Sequence, residues 1–239
     1  MRFDLSIIFD NWQLFANGLL TTLLIAVIAL PLAFVIAIPI AFMKLSRIWP
    51  LRALAIVYIE AFRNAPFLIV LYVIFYALPT LHIRLPALVV GTGVLCLYAS
   101  SYLAEIIRGA FLAVPKGQLE AARAVGMSRL QGIVQIVAPQ MLSGLIPPST
   151  NMGIILIKET SVLALISVAE LTYQGMSVQA ATFAAFEVFL VVGGLYWLLC
   201  ATLSAIATSA EKRSARSIAG ARRASVADSF LSLEPRGRK

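Results

Sequence analysis

The sequence predicts an all-α integral membrane protein with five spanning helices, and three observations carry that prediction. Of 239 residues, 61% are apolar and only 13% charged, and the mean hydropathy is +0.93. A soluble domain of this length carries roughly twice that share of charge. The apolar residues are gathered into long runs: no charge occurs between Asn11 and Met43, which exceeds the ~20 residues needed to cross hydrocarbon. The polar residues are gathered too, into one interruption from Gln118 to Gln140 and a basic C-terminal stretch. Residues 1–210 therefore read as a transmembrane domain, with spans at about 15–43, 54–78, 86–107, 138–160 and 182–207 and a polar loop at 115–131. Residues 211–239 read as a basic, disordered tail.

The first span starts at an interface marked by Trp12 and Phe15, and Pro31 and Pro39 inside it are expected to kink it. A short basic connection follows, with Lys44, Arg47 and Arg52. The second span holds Glu60 and Arg63, three residues apart on one face, where they are expected to pair and so lower the cost of charge near lipid. Pro66 is expected to bend the helix just beyond them. The third span repeats the device with Glu105 and Arg108. Both pairs read as structural, since they sit near one membrane boundary.

A fourth apolar stretch, broken by Pro139, Pro147 and Pro148, ends at Lys158 and Glu159. Adjacent helical residues point about 100° apart, so these two charges cannot neutralise each other face to face. Each needs its own partner on another helix, another subunit or a solute. Residues 165–181 read as an outer loop with a short helix, and Glu187 lies near the outer end of the fifth span.

The polar interruption, QLEAARAVGMSRLQGIVQIVAPQ, builds two short helices that meet at an elbow. Leu119 to Val125 are mostly strong helix formers, Gly126 supplies the left-handed residue that ends a helix, and Ser128 with Gln131 has the form of a capping box. Small side chains at Ala121, Ala122 and Gly126 are expected to let another surface approach the backbone, with Glu120, Arg123 and Arg129 as charges at the rim. That pattern is a docking knob without a catalytic group.

Lys and Arg fall unequally on the two sides. The first connection has three, the polar interruption and its flanks have Arg108, Lys116, Arg123 and Arg129, and the tail has eight. The other side has Arg2 and Arg84 and none between Ser161 and Ala181. The positive-inside rule places the N-terminus outside and the elbow and C-terminus in the cytoplasm. Eight basic against three acidic residues in the tail supply +5 of the net charge of +8, so the basic character is terminal. It fits contact with anionic membrane lipid and not with nucleic acid.

Several chemistries are excluded. No stretch fits a phosphate-binding G-x-x-x-x-G-K-[ST] loop, so the chain is not expected to hydrolyse ATP itself. No nucleophile and base are arranged together, no metal set is evident, Cys96 and Cys200 lie in apolar runs as packing residues, and His82 is a solvated loop residue. The glycines at 91, 93, 193 and 194 read as points of close helix packing. No catalytic residue is expected.

The order of motifs carries a resemblance. Glu120-Ala121-Ala122, three residues, Gly126, nine residues, Ile136, one residue and then Ala138-Pro139 is similar to the EAA signature of permease subunits of bacterial ABC importers, with Ala138 where that signature usually has Leu. AFRNAPFLIVLYVIFYALP (61–79), YLAEIIRGAF (102–111), VPKGQ (114–118), IPPSTN (146–151) and KETSVLALI (158–166) resemble the polar amino acid branch of that family, over roughly residues 15–211. The resemblance implies the type I ABC importer permease fold and a cytoplasmic ATPase dimer that carries ATP and Mg, docked on Gln118, Glu120, Ala121, Ala122, Arg123, Gly126, Arg129 and Pro139. It also implies a second permease subunit, identical or similar, and an extracytoplasmic solute-binding protein. Lys158 and Glu159, with Asn151 and Thr160, are the candidates for the solute path, because a zwitterion needs one partner of each sign. An ATP-independent channel or secondary transporter is the alternative reading.

Overall fold

The computed structural model describes residues 6–231, with side chains through residue 209 apart from that of Ser143. The path runs through α1 (Ser6–Asp10), α2 (Trp12–Lys44), α3 (Trp49–Arg63), α4 (Phe67–Thr80), α5 (Ala87–Ala113), α6 (Lys116–Ala124), α7 (Arg129–Gly132), a π-helical turn (Ile133–Val137), α8 (Ala138–Glu159), a 3-10 segment (Thr160–Ile166), α9 (Leu171–Thr182) and α10 (Ala185–Leu231). Every regular element among the described residues is helical, as a chain in hydrocarbon requires if its backbone groups are to be satisfied locally.

The centre is the pairing of α2 with α5. Ala26, Ala29, Ala33, Ala37 and Ala41 recur every three or four residues on α2 and are all buried, so one flank of that helix is smooth. On α5, Ala99, Ser100, Ser101, Leu103 and Ala104 are also buried. Small residues let helix backbones approach closely enough for dispersion and weak polar contacts to hold them where no hydrophobic force acts. The hydroxyls of Ser100 and Ser101 donate to the carbonyls of Leu97 and Tyr98 and need no outside partner. Helices α3, α4 and α8 then pack on the remaining faces of α5, and α9 and α10 close on α2 and α8.

Four helices are long and apolar enough to cross a membrane: Trp12–Lys44, Ala87–Ala113, the stretch Gly144–Ile166 and Ala185–Ser209. The expected second span is not one bent helix. It is two helices, α3 and α4, that meet at 107°. Pro66 lacks an N–H and disfavours helical backbone at Ala65, and each half has its own attachment to α5. Tyr58 Oη lies 2.9 Å from the Leu97 carbonyl and 2.6 Å from Ser100 Oγ; Phe67 stacks on Tyr98 with centroids 5.0 Å apart. The fourth span departs in the opposite sense. Pro147 and Pro148 do not break it, and α8 runs through both, with the Thr150 hydroxyl donating to the Ile146 carbonyl. Pro139 sits within its first turn, where a missing N–H costs little. The outer loop is largely the ordered helix α9, with Leu171, Gly175 and Val178 buried.

Two further expectations change. Gly91 does pack closely, against Leu163 and Ile166, whereas Gly93, Gly193 and Gly194 face open space within this chain. The tail is helical as far as Leu231, in keeping with its content of Ala, Arg, Glu and Lys; Arg2 and residues 232–239 lie outside the described residues.

The charged pairs behave differently from each other. Glu60 and Arg63 form no ion pair among the described residues; the Arg63 guanidinium instead lies 5.1 Å from the Tyr102 ring centroid, a cation–π contact. Glu105 and Arg108 do pair, at 2.9 Å, and Lys44 joins them from the end of α2 at 2.6 Å. One carboxylate therefore holds two cations: Lys44, which links α2 to α5, and Arg108 on its own helix. We expect Glu105→Ala to destabilise the protein by about 1–3 kcal/mol, between exposed and buried pairs. It should lower the thermal midpoint in detergent more than Arg108→Ala does, because it leaves two cations unpaired.

Gly18 tests the packing at the other end of α2. A Cβ there would lie 2.8 Å from Leu171 Cα and 3.1 Å from the Glu170 carbonyl oxygen, both backbone atoms. Gly18→Val should cost roughly 1–3 kcal/mol and lower the midpoint by roughly 3–10 °C, whereas Gly93→Ala, with nothing within 4 Å, should leave it unchanged.

Candidate functional site

The elbow is built from local rules that close on each other. Helix α6 starts after Pro115, whose extended backbone feeds into it. It ends in a Schellman arrangement, with Gly126 at φ +87, the Gly126 amide donating to the Arg123 carbonyl and the Met127 amide to that of Ala122. Two residues later Ser128 caps α7: its hydroxyl accepts from the Gln131 amide at 3.2 Å, and its own amide donates to Gln131 Oε1 at 2.8 Å. The two arms touch at Gly132, where an added Cβ would meet Leu119 and Ala122. Gln140 Nε2 donates to Gln118 Oε1 at 3.3 Å and so ties α6 to the first turn of α8.

This geometry sorts the expected docking residues. Glu120, Ala121, Arg123, Gly126 and Arg129 are exposed on the elbow, and Pro139 is exposed at the start of α8. Ala122 is only 5% exposed and spends its small size inside the elbow, against Gly132. The sequence reading passed over the large apolar residues that the elbow holds in the open: Val125 at 79% and Leu130 at 71% exposed, with Val134 beside them. An exposed Val next to a helix-terminating Gly was the available signal. The elbow offers a stiff, partly apolar knob with charges of both signs at its edge.

The second group lies at the C-terminal end of α8. Lys158 is exposed and Glu159 half-buried, and neither has an ion-pair partner among the described residues. They face different neighbours: Lys158 is within electrostatic range of Cys200 on α10, and Glu159 of Tyr98 on α5. Tyr98 is hydrogen bonded to Tyr102 at 3.2 Å, and Tyr102 carries Arg63 over its ring, so Glu159 and Arg63 flank one aromatic pair. Asn151 is exposed two turns earlier on α8. Thr160 is fully buried, with its hydroxyl donating to the Ile157 carbonyl, so it faces the protein interior and not an open path.

A third group was missed in the sequence. Glu170 is completely buried and caps α9: Oε2 accepts from the Thr172 amide at 3.0 Å, and Oε1 from the Tyr173 amide at 2.8 Å. Tyr196 of α10 donates its hydroxyl hydrogen to Oε2 at 2.6 Å. The remaining amide at this helix start, that of Leu171, donates to Thr22 Oγ1 of α2 at 3.2 Å, so the first orphan donors of α9 are all satisfied. Burial pushes the Glu170 carboxyl above its ordinary range, against the opposing pull of the Tyr196 and amide hydrogen bonds. The signal was present: Glu170 is the only charged residue between Glu159 and Glu187.

Known proteins resemble the whole arrangement. The family model described as binding-protein-dependent transport system inner membrane component matches residues 29–216. Probable glutamine ABC transporter permease protein GlnM of Bacillus subtilis (strain 168) is 36% identical over 210 residues, 88% of this chain and 97% of that one. Glutamine transport system permease protein GlnP of Escherichia coli (strain K12) is 34% identical over 215 residues, 89% and 98% of the two chains. The crystal structure of an amino acid ABC transporter with histidines superposes with a TM-score of 0.83 at 32% identity, covering 89% of this chain and 100% of that one. With its helical elbow, its apolar spans and a family match over most of its length, the chain belongs to the binding-protein-dependent transport system inner membrane components, the permease subunits of ABC importers.

Proposed function

We propose that this permease carries a polar amino acid or amino acid derivative into the cytoplasm of a bacterial cell, with glutamine the first solute to test. The names of its relatives support that class. In this reading the N-terminus is outside and the elbow and C-terminus are cytoplasmic, as the distribution of Lys and Arg favours. A separate ATPase dimer binds ATP and Mg and performs the hydrolysis; this chain holds no cofactor or metal and catalyses nothing. A second permease subunit, identical or similar, completes the pathway. A solute-binding protein delivers from outside, and anionic lipid meets the basic stretch at residues 211–239.

The observation that carries the coupling role is the elbow. It is fixed to the spans through Gly132, Gln118 and the continuous helix from Arg129 to Glu159, while its tip is open, with Val125 and Leu130 largely exposed and nothing among the described residues within 4 Å of a Cβ added at Gly126. A rigid lever with a free end transmits the closure of an ATPase dimer to α8, and α8 carries Lys158 and Glu159. ATP, binding protein and solute then shift one equilibrium between inward-open and outward-open states by their differential affinities. Lys158 and Glu159, reached past Asn151, offer one charge of each sign to a zwitterion.

ATP hydrolysis by the complex in nanodiscs, with the ATPase and binding protein encoded beside this chain and each common amino acid added in turn, tests the reading. One solute should stimulate hydrolysis through the binding protein. Val125→Asp and Gly126→Asp should each reduce that stimulation at least tenfold while the thermal midpoint of the spans holds. Gly126→Asp adds a charge and roughly 1–2 kcal/mol of backbone strain at a position that contacts nothing. Solute flux that persists without ATP, with no ATPase co-purifying, would overturn the importer reading.

A further inference from the structure

The polar knot around Glu170 is more elaborate than a helix cap requires. Both carboxylate oxygens are used, by two amides of α9 and one phenol of α10. Tyr196 Oη also lies 3.2 Å from Thr172 Oγ1 and 3.4 Å from Thr160 Oγ1. The Tyr196 hydrogen goes to Glu170 and that of Thr160 to the Ile157 carbonyl. The Thr172 hydroxyl is then the natural donor to Tyr196, and Thr160 rests against the phenol without a strong bond of its own. Four elements meet here: the 3-10 segment after α8, α9, α10 and, through Thr22, α2.

The chain path gives the knot a consequence. Lys158 and Glu159 stand at the end of α8, and the segment that follows is short and packed, with Thr160, Leu163, Ala164, Ile166 and Val168 buried before Glu170 is reached. One end of this segment is continuous with α8 and the other is pinned by Glu170. Tyr196 stands against both ends at once, touching Thr160 and bonding Glu170. Loss of its hydroxyl would cut the bond that ties Glu170, at the far end of the segment, to α10, and the contact with Thr160, without removing any residue from the solute path.

Resting on the importer reading above, we propose that Glu170 and Tyr196 are positioning residues that hold Lys158 and Glu159 in the geometry that binds solute. Neither touches solute. They act through the buried segment 160–169, and the Glu170–Tyr196 bond sets how tightly the permease holds its amino acid.

The test is equilibrium binding of radiolabelled L-glutamine, and of the other common amino acids as further probes, to the complete permease–ATPase complex without binding protein. Tyr196→Phe keeps the ring and removes the hydroxyl. It should raise Kd at least fivefold while the number of sites per complex, the basal ATP hydrolysis and the thermal midpoint stay near wild type. Glu170→Gln should act in the same direction, and the double variant should be no weaker than the worse single one, because the two share one bond. Should Glu170→Gln fail to fold, Tyr196→Phe alone decides.

A purely structural knot gives a different result: fewer sites and a lower midpoint with Kd unchanged, and that outcome overturns the proposal. So does a wild-type complex that binds none of the amino acids, since there is then no held solute to position. Failure of the importer reading shows separately, as wild-type hydrolysis that solute and binding protein do not stimulate.

Discussion

The close approach of α2 and α5 is the contact on which the other helices depend. It is made possible by alanines: with Ala29, Ala33 and Ala37 fully buried on one flank, α2 presents backbone and not side chain to α5. In hydrocarbon no hydrophobic effect draws helices together, and shape fit must supply the attraction. At the end of α2 that carries Lys44 the same pair is clamped by Glu105, which also pairs with Arg108. Toward its other end α2 meets α9 instead, with Gly18 against Leu171 and Thr22 accepting from the Leu171 amide. One helix thus holds the frame at both ends, and the chain can break between α3 and α4 because each packs on α5 in its own right.

Those breaks show what could be read from residues alone. The elbow was legible because its rules are local: Gly126 and the Ser128–Gln131 box act within a few residues, and both closed as their spacing predicts. That the chain is all-helical, with four to five helices apolar enough to cross a membrane, was legible from hydropathy. The 107° turn between α3 and α4 was not, because a proline in an apolar run signals a bend without its size. That size is set by where Tyr58 and Phe67 attach to α5. Pro147 and Pro148 mislead the other way, since α8 runs through both as one helix.

Charges were the least legible feature, for a physical reason. A carboxylate at i and a guanidinium at i+3 read as a pair on any helix. Glu105 and Arg108 obey, but Arg63 finds the face of Tyr102, a partner from another helix that no local pattern contains. Glu170 has the same character. Its partners come from α9 and α10, so only its isolation in an uncharged stretch marked it. Lone charges in apolar sequence therefore ask for a tertiary partner, and Lys158 and Glu159, like Glu60, form no ion pair among the described residues.

That remainder sets a condition on what surrounds the end of α8. An unpaired charge inside a membrane is costly unless it meets water, an opposite charge or a solute. Lys158 and Glu159 lie within electrostatic range of Cys200 on α10 and Tyr98 on α5, and neither forms an ion pair among the described residues. Almost none of the most apolar stretch of α10 is buried, and Trp197 and Leu198 stand exposed on it. One surface therefore suits lipid, while the end of α8 needs a polar surrounding. On the reading proposed above, a pathway enclosed between two permease subunits would meet both demands, hydrating the charges and leaving the apolar faces outward to lipid.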